Sequence, residues 1–361
     1  MYRFEWSLPP VEDLFLGKHT TFKQGQCYFI YDRIWMTRVN ELVTQMRSGD
    51  VRALARAISL IENAAPDAVE VLSACFPYTG KALHIGVTGA PGAGKSTLVD
   101  RLARAWRGKG SKVGVIAVDP TSPFTGGALL GDRIRMQERL DSNNGGDSLY
   151  VRSMATRGSL GGLAQTTADV AQVIEASGRD VVLIETVGVG QDEIEIVRLA
   201  DVTVVVLVPG MGDDVQSLKA GIMEIADVFV VNKADREGAD RVEKEICAMQ
   251  SLAGNHGTWV SPVVKTVSTT GEGIDALFAA IGQRRDWLEK DGRFKTRRTA
   301  YWQRRIEGML QQALLKEARS HGLSEKELGS HAERVAAGAE DPYRLISVLV
   351  ERVFAARGGE R

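Results

Sequence analysis

Cysteine is scarce in this chain. Three residues of 361, Cys27, Cys75 and Cys247, stand far apart, and none belongs to a C-x-x-C pair. They read as reduced thiols of a cytoplasmic protein. No sign of charge dominates either: 45 Lys and Arg face 46 Asp and Glu, a net charge of −1. That balance argues against a protein that coats a polyanion. No uninterrupted apolar run approaches the roughly 18 residues of a membrane helix, and Val202–Val208 is only strand length. The first residues lack a basic stretch followed by an apolar one, so no secretory signal is expected. What is present, 44% hydrophobic and 25% charged residues, is ordinary globular composition. The length suits one large domain with additions, or two domains.

Composition shifts along the chain. Residues 1–35 hold nine of the 23 aromatics, show no sustained period and contain Pro9-Pro10. They read as a flexible leader; the rival is an aromatic docking arm. From Met36 the spacing of Val39, Leu42, Val43 and Met46 marks one helical face. Gly49 closes that helix, Asp50 caps the next over Val51 to Asn63, and Pro66-Asp67 opens a third. From Lys81 short β-branched runs alternate with helical segments. Leu83–Thr88, Val113–Asp119, Val181–Glu185, Val202–Val208, Val228–Asn232 and Val260–Val267 read as strands. Nearly continuous apolar runs of this kind suit a mostly parallel sheet covered on both faces. After Gly282 the strands stop, and Arg284–Ser320, Ser324–Ala337 and Asp341–Ala356 read as helices. The division expected is a leader 1–35, helices over 36–80, an α/β unit over 81–283 and a helical module over 284–361. Arg284–Arg305 carries nine basic residues against three acidic ones. With no nucleic-acid-binding pattern beside it, this reads as a solvated helical face next to an interface.

The strongest motif is Gly89-Ala90-Pro91-Gly92-Ala93-Gly94-Lys95-Ser96, directly after an expected strand and before the helical Thr97-Leu98-Val99. A G-x-x-x-x-G-K-S in that context is a phosphate cradle. Glycines let the backbone wrap phosphate oxygens, and the helix N-terminus adds positive potential. Lys95 is expected to reach the β- and γ-phosphates, and Ser96 to offer a hydroxyl to Mg²⁺. The second motif, Asn232-Lys233-Ala234-Asp235, ends an apolar strand 137 residues after Lys95. Such a sequence selects guanine. A carboxylate at Asp235 accepts from the ring N–H and exocyclic amine, Asn232 bonds the purine edge and Lys233 lies along the base.

Metal ligands are expected at strand ends near the phosphates, from Asp119 and Glu185, because Mg²⁺ prefers oxygen. Asp132, on a loop, is either a third ligand or a helix cap. Glu185-Thr-Val-Gly188 resembles the D-x-x-G of GTPases with Glu in place of Asp. Val189 stands where many GTPases carry the glutamine that orients water, and Gln191 follows two residues later. Slow intrinsic hydrolysis is therefore expected, with Arg135, Arg157 or a partner residue completing the site.

Together these residues resemble the MeaB/ArgK family of P-loop GTPases, which serve coenzyme-B12-dependent acyl-CoA mutases. The likeness runs from about Met36 to the C-terminus. It is carried by Gly86–Thr97, Val118–Met136, Glu185–Gln191 and Pro209–Gln216, and continues into Asn232–Asp235. It implies a P-loop NTPase G domain flanked by N-terminal helices and a C-terminal helical dimerisation extension. Ser96, Asp119, Asp132 and Glu185 would surround Mg²⁺, with Arg135 near the nucleotide. Ser268-Thr269-Thr270 would close over guanine. Gly210–Lys219, with Asp213, Asp214 and Gln216, would form a switch loop that signals to the mutase. The implied partners are a second copy of the chain and a mutase of the methylmalonyl-CoA type, with neither nucleic acid nor membrane. The leader has no family counterpart. Two other readings share the phosphate machinery. A nickel-type chaperone would want clustered Cys and His, whereas the five histidines are scattered. A kinase or ATPase of arginine/ornithine transport would not need Asn232–Asp235. None of the histidines has an aspartate two positions before it, so no D-x-H-x-x-G loop holds cobalamin.

Overall fold

The computed structural model describes residues 37–119, 148–155, 162–186, 199–210, 225–252, 259–320 and 323–358. The leader 1–35 lies outside them. Seven strands form one sheet: β1 (Leu83–Gly89), β2 (Val113–Asp119), β3 (Leu149–Ala155), β4 (Val181–Glu185), β5 (Val202–Leu207), β6 (Val228–Asn232) and β7 (Val263–Thr266). Their order is β3-β2-β4-β1-β5-β6-β7, and every pairing is parallel. Every residue of β4, β5 and β6 is buried. That is why their sequences read as continuous apolar runs, as strands covered on both faces do.

Six of the seven strands match expected runs. β3 was not expected, because Arg152 and Ser153 interrupt the apolar pattern of Leu149–Ala155. It is an edge strand, and Arg152 turns to Glu62 and Ser59 on a neighbouring helix. β7 is shorter than expected and begins just after Pro262, which cannot donate to a ladder.

One face of the sheet is covered by the helices Lys95–Gly108 and Ile274–Glu289. Leu98, Leu102, Leu277 and Ile281 pack there on Ile85, Val87 and Val204. On the other face Val51–Glu62, Ala68–Cys75 and Gly162–Ala176 bring Leu54, Ile58, Val71 and Ile174 against Ile116 and Ile184. The helix Ala239–Leu252 covers Phe229 and Val231 with Val242 and Ile246. Asp50 caps Val51–Glu62, its carboxylate accepting from Arg52 N at 2.8 Å and Ala53 N at 3.2 Å. Cys75 is part of the core, where burial pushes its thiol up to about 12. It is inert at neutral pH. Among the described residues no helix is long and apolar enough to cross a membrane.

The C-terminal helices differ from expectation at one point. Arg284–Ser320 is not a single helix. One helix runs Ile274–Glu289, a short turn follows at Lys290–Gly292, and a second runs Arg293–Ser320. Asp291 and Gly292 both adopt positive φ, which no α-helix accommodates. Only part of the basic run is a solvated face: Lys290, Lys295 and Arg304 are exposed. Arg284 is buried and Arg305, Arg297 and Arg298 are half-buried. They pair inward with Asp227, Asp169, Asp227 and Asp201 respectively.

The Arg297 and Arg298 pairs dock the long helix onto the end of the sheet where β1, β5 and β6 begin. Asp201 accepts from His84 N, and Asp227 from Thr203 N. Glu175 does the same for Lys81 N and Ala82 N at 2.5 and 2.8 Å, with His84 Nε2 3.3 Å from its other oxygen. Burial raises the Glu175 pKa. His84 and then the two backbone amides outweigh that and hold it below the ordinary carboxylate value. A depressed native pKa adds stability above the ordinary value, and loses it as pH falls through the native one. Glu175→Gln is therefore expected to cost about 1–3 kcal/mol at neutral pH, read as a lower melting temperature. The gap to wild type should close in acid. A gap that stays constant down to about pH 3 would contradict this ionised role.

Candidate nucleotide site

The site lies at the C-terminal ends of β1, β4, β6 and β7, the usual place for ligands in an open parallel sheet. β1 ends in Gly89 at φ +144°, where an added Cβ would sit 2.1 Å from the Val206 carbonyl oxygen on β5. Only glycine lets the two strands run this close while the chain turns away. The loop closes at Gly94, φ +87°, where a Cβ would fall 2.5 Å from Asn232 Nδ2. Ala93 is buried between them, while Gly92 is exposed.

Lys95 opens the helix Lys95–Gly108. Its buried ammonium donates to Gly89 O at 2.7 Å and Ala90 O at 2.9 Å, so it lies across the loop that it serves. Ser96 donates from Oγ to Glu185 Oε1 at 2.5 Å, and Thr97 is half-buried beside it. Glu185 closes β4 and is only 8% exposed. Behind it, Thr186 Oγ1 donates to Thr88 Oγ1 at 2.9 Å, joining the ends of β4 and β1. Asp119 closes β2, two residues past the position paired with Glu185. A hydroxyl and a carboxylate in contact form an all-oxygen donor set, with the position of Asp119 at the end of the adjacent strand. Such a set suits a small hard cation that keeps water and takes ligand oxygens. Among the described residues no group of three His, Cys, Asp or Glu gathers to enclose a metal.

The base-side residues arrive from β6 and the turn after β7. Asn232 is 2% exposed. Its Nδ2 donates to Ala93 O at 2.7 Å. Its Oδ1 accepts from Ser268 Oγ at 2.8 Å, Thr266 Oγ1 at 3.1 Å and Ser268 N at 3.2 Å. The carboxamide therefore ties the phosphate loop to the Ser268-Thr269-Thr270 turn. Lys233 takes positive φ, +56°, and its Nζ donates to Gly92 O at 2.8 Å, laying the stem from the end of β6 to the loop. Asp235 is exposed and forms no hydrogen bond with the described residues, so its carboxylate is open to a ligand.

Arg101 was not singled out in the sequence. It stands six residues beyond Lys95, two helical turns on, in no recognisable motif. Its Nε donates to Ser268 O at 2.9 Å, and a second nitrogen donates to Thr269 O. These partners lie more than 160 residues along the chain, so only the fold reveals the pairing. Asp132, Arg135, Arg157, Val189, Gln191, Asp213, Asp214, Gln216 and Lys219 lie outside the described residues. Gly210 is described: exposed, at φ +90°, following Pro209.

Residues 54–322 match the family described as methylmalonyl Co-A mutase-associated GTPase MeaB. A protein of Pyrococcus abyssi that carries the name of a GTPase is 46% identical over 319 residues, covering 88% of this chain and 97% of that protein. The Mus musculus protein named methylmalonic aciduria type A homolog, mitochondrial, is 30% identical over 331 residues, covering 87% of this chain and 79% of that one. Among solved structures, the crystal structure of an LAO/AO transport system kinase aligns with a TM-score of 0.66 at 26% identity. It covers 87% of this chain and 97% of that chain.

Two substitutions separate base choice from base retention. Asp235→Asn should weaken GTP binding roughly 100-fold and turn preference toward xanthosine nucleotides, measured by calorimetry. Wild type binding ATP as tightly as GTP would refute the assignment of the base site. Arg101→Met frees the Ser268–Thr270 turn and should speed GDP release about tenfold in a stopped-flow chase with a fluorescent analogue. An unchanged release rate would reduce Arg101 to a surface contact.

Proposed function

The chain belongs to the MeaB family of methylmalonyl-CoA mutase-associated GTPases and is itself a GTPase, and from that premise we propose that it gates a B12-dependent acyl-CoA mutase. In this reading GTP binding and hydrolysis time the loading or protection of adenosylcobalamin in the mutase. The observation that carries it is the Asn232 carboxamide, bonded at once to Ala93 of the phosphate loop and Ser268 of the base-side turn. One buried side chain makes the two halves of a guanine-nucleotide site a single unit. The mutase itself enters through the family description and the name of the mouse relative.

The residue roles follow from side-chain chemistry and, for Asp132, Arg135 and Gly210–Lys219, from the family likeness. Lys95 leaves its loop carbonyls for the β- and γ-phosphates, which outcompete neutral acceptors for an ammonium. Ser96 and Glu185, with Asp119 and Asp132, hold Mg²⁺. When bound, that ion neutralises charge on the phosphates. Gly89–Thr97 wraps the phosphates with backbone N–H groups, and Arg135 approaches them. Asp235 reads guanine, while Lys233 and the Ser268–Thr270 turn enclose it. Gly210–Lys219 reports the nucleotide state to the mutase. The protein works in the cytoplasm as a homodimer. Supporting this, Ile306, Met309, Leu310 and Leu314 on Arg293–Ser320 lie at helical spacing and are each about half exposed, as are Ile346 and Val350 on Pro342–Gly358. A paired copy would cover such a stripe. The solved relative is named as a transport system kinase, but Asn232–Asp235 favours guanine over adenine.

Hydrolysis should be slow in the isolated protein and rise on adding the cognate mutase, as GTPases whose sites a partner completes behave. Turnover is measured by phosphate release with and without the mutase, for wild type and Lys219→Ala. Loss of stimulation in the variant identifies the loop lysine as the relay. Equal stimulation of both removes it from that role. Absence of stimulation by any B12-dependent acyl-CoA mutase would defeat the gating function.

A further inference from the structure

A second polar cavity, of about 500 Å³, opens at the opposite end of the strands from the phosphate loop. It lies where β1, β5 and β6 begin, between the helices Gly162–Ala176 and Arg293–Ser320. Carboxylates and arginines meet there, and the carboxylates are already satisfied. Glu175 accepts from two backbone amides and Asp201 from a third. Asp227 accepts from Thr203 N, Arg284 and Arg297.

Donors remain in surplus. Arg284 lines the cavity and is only 8% exposed, yet its Nε and Nη1 have no hydrogen-bond partner among the described residues. Gln172, 9% exposed, lines the facing wall, its carboxamide beside the Tyr301 hydroxyl. Arg304 stands exposed at the rim and makes no ion pair with the described residues. Arg284 has no freedom to turn elsewhere. Its guanidinium lies 4.4 Å from the Trp287 ring centre and 5.0 Å from that of Trp259, and Nη2 is fixed 2.7 Å from Asp227. Burial lowers its pKa from the ordinary value. Arg297 and Arg293 push the same way, against Asp227. A buried planar donor with excess positive potential beside it is the chemistry that recognises an oxyanion.

We propose that this cavity binds a small oxyanion, a phosphate or a carboxylate, through Arg284, Gln172 and Arg304. The site is separate from the nucleotide pocket, since β1 spans the distance between them. It also touches the long C-terminal helix, because Arg297 of that helix donates to Ala200 O and Asp227 at the same edge. A bound anion would therefore tighten the seat of the helix against the starts of β5 and β6.

The test uses the full-length protein saturated with Mg²⁺ and guanosine 5′-(β,γ-imido)triphosphate, which fills the phosphate loop through its γ-position. Sodium phosphate and sodium malonate are titrated in separate calorimetric experiments, with chloride holding ionic strength constant. One saturable site is expected, and the tighter anion identifies whether phosphate or carboxylate is the natural group. Gln172→Leu and Arg304→Ala should each weaken it about tenfold. Arg304 is exposed, so its variant is not expected to disturb folding. If neither anion gives saturable heat, water alone fills the cavity and the proposal falls. Binding of equal strength in wild type and both variants places the anion elsewhere and overturns it too.

Discussion

The Asn232 carboxamide holds together the end of β6, the phosphate loop 139 residues before it and the turn 36 residues after it. Its two ends leave it almost no choice. The nitrogen must donate and the oxygen must accept, and a group 2% exposed cannot turn to water instead. The nitrogen therefore fixes the Ala93 carbonyl, and the oxygen gathers Thr266 and Ser268. Gly94 follows from this constraint, because any side chain there would strike the Asn232 nitrogen. Lys233 and Arg101 reinforce the same closure from either side, one reaching Gly92 and the other Ser268 and Thr269. Phosphate loop and base-side turn are thereby tied through one buried side chain.

A second set of constraints acts at the far end of the strands. Parallel strands start with backbone N–H groups that the ladder does not satisfy. Here acidic side chains take them: Glu175 at Lys81 and Ala82, Asp201 at His84, Asp227 at Thr203 and Asp180 at Lys112. Buried carboxylates need cations. Arg284, Arg297 and Arg298 come from the C-terminal helices to supply them. The sheet thereby selects where the helical module sits, and the break at Asp291-Gly292 lets two helices serve one edge. The strand ends that carry the phosphate loop and the ends that dock the C-terminal helices belong to one sheet.

Much of this was legible in the sequence because it depends on local pattern. Six strands appeared as β-branched runs, since burial on both faces removes alternation. The phosphate loop and Asn232–Asp235 were readable because each chemical role sits within a few consecutive residues. β3 escaped because an edge strand carries Arg152 and loses the apolar signal. The inward arginines of 284–305 escaped for a related reason. A basic run looks the same whether its charges face water or buried aspartates, and no periodicity tells the two apart.

The sequence by itself determined the chemistry available: a glycine-rich cradle, a lysine, a hydroxyl, strand-end carboxylates and an aspartate just after β6. The tertiary structure alone decided how those groups are held. Asn232 became a tie between loops, Arg101 joined the base-side turn, and Arg284 was packed against two tryptophans with donors left over among the described residues. Each of these depends on partners distant in the chain. Their meeting is set by the order in which parallel strands pair, and spacing along the sequence does not encode that order.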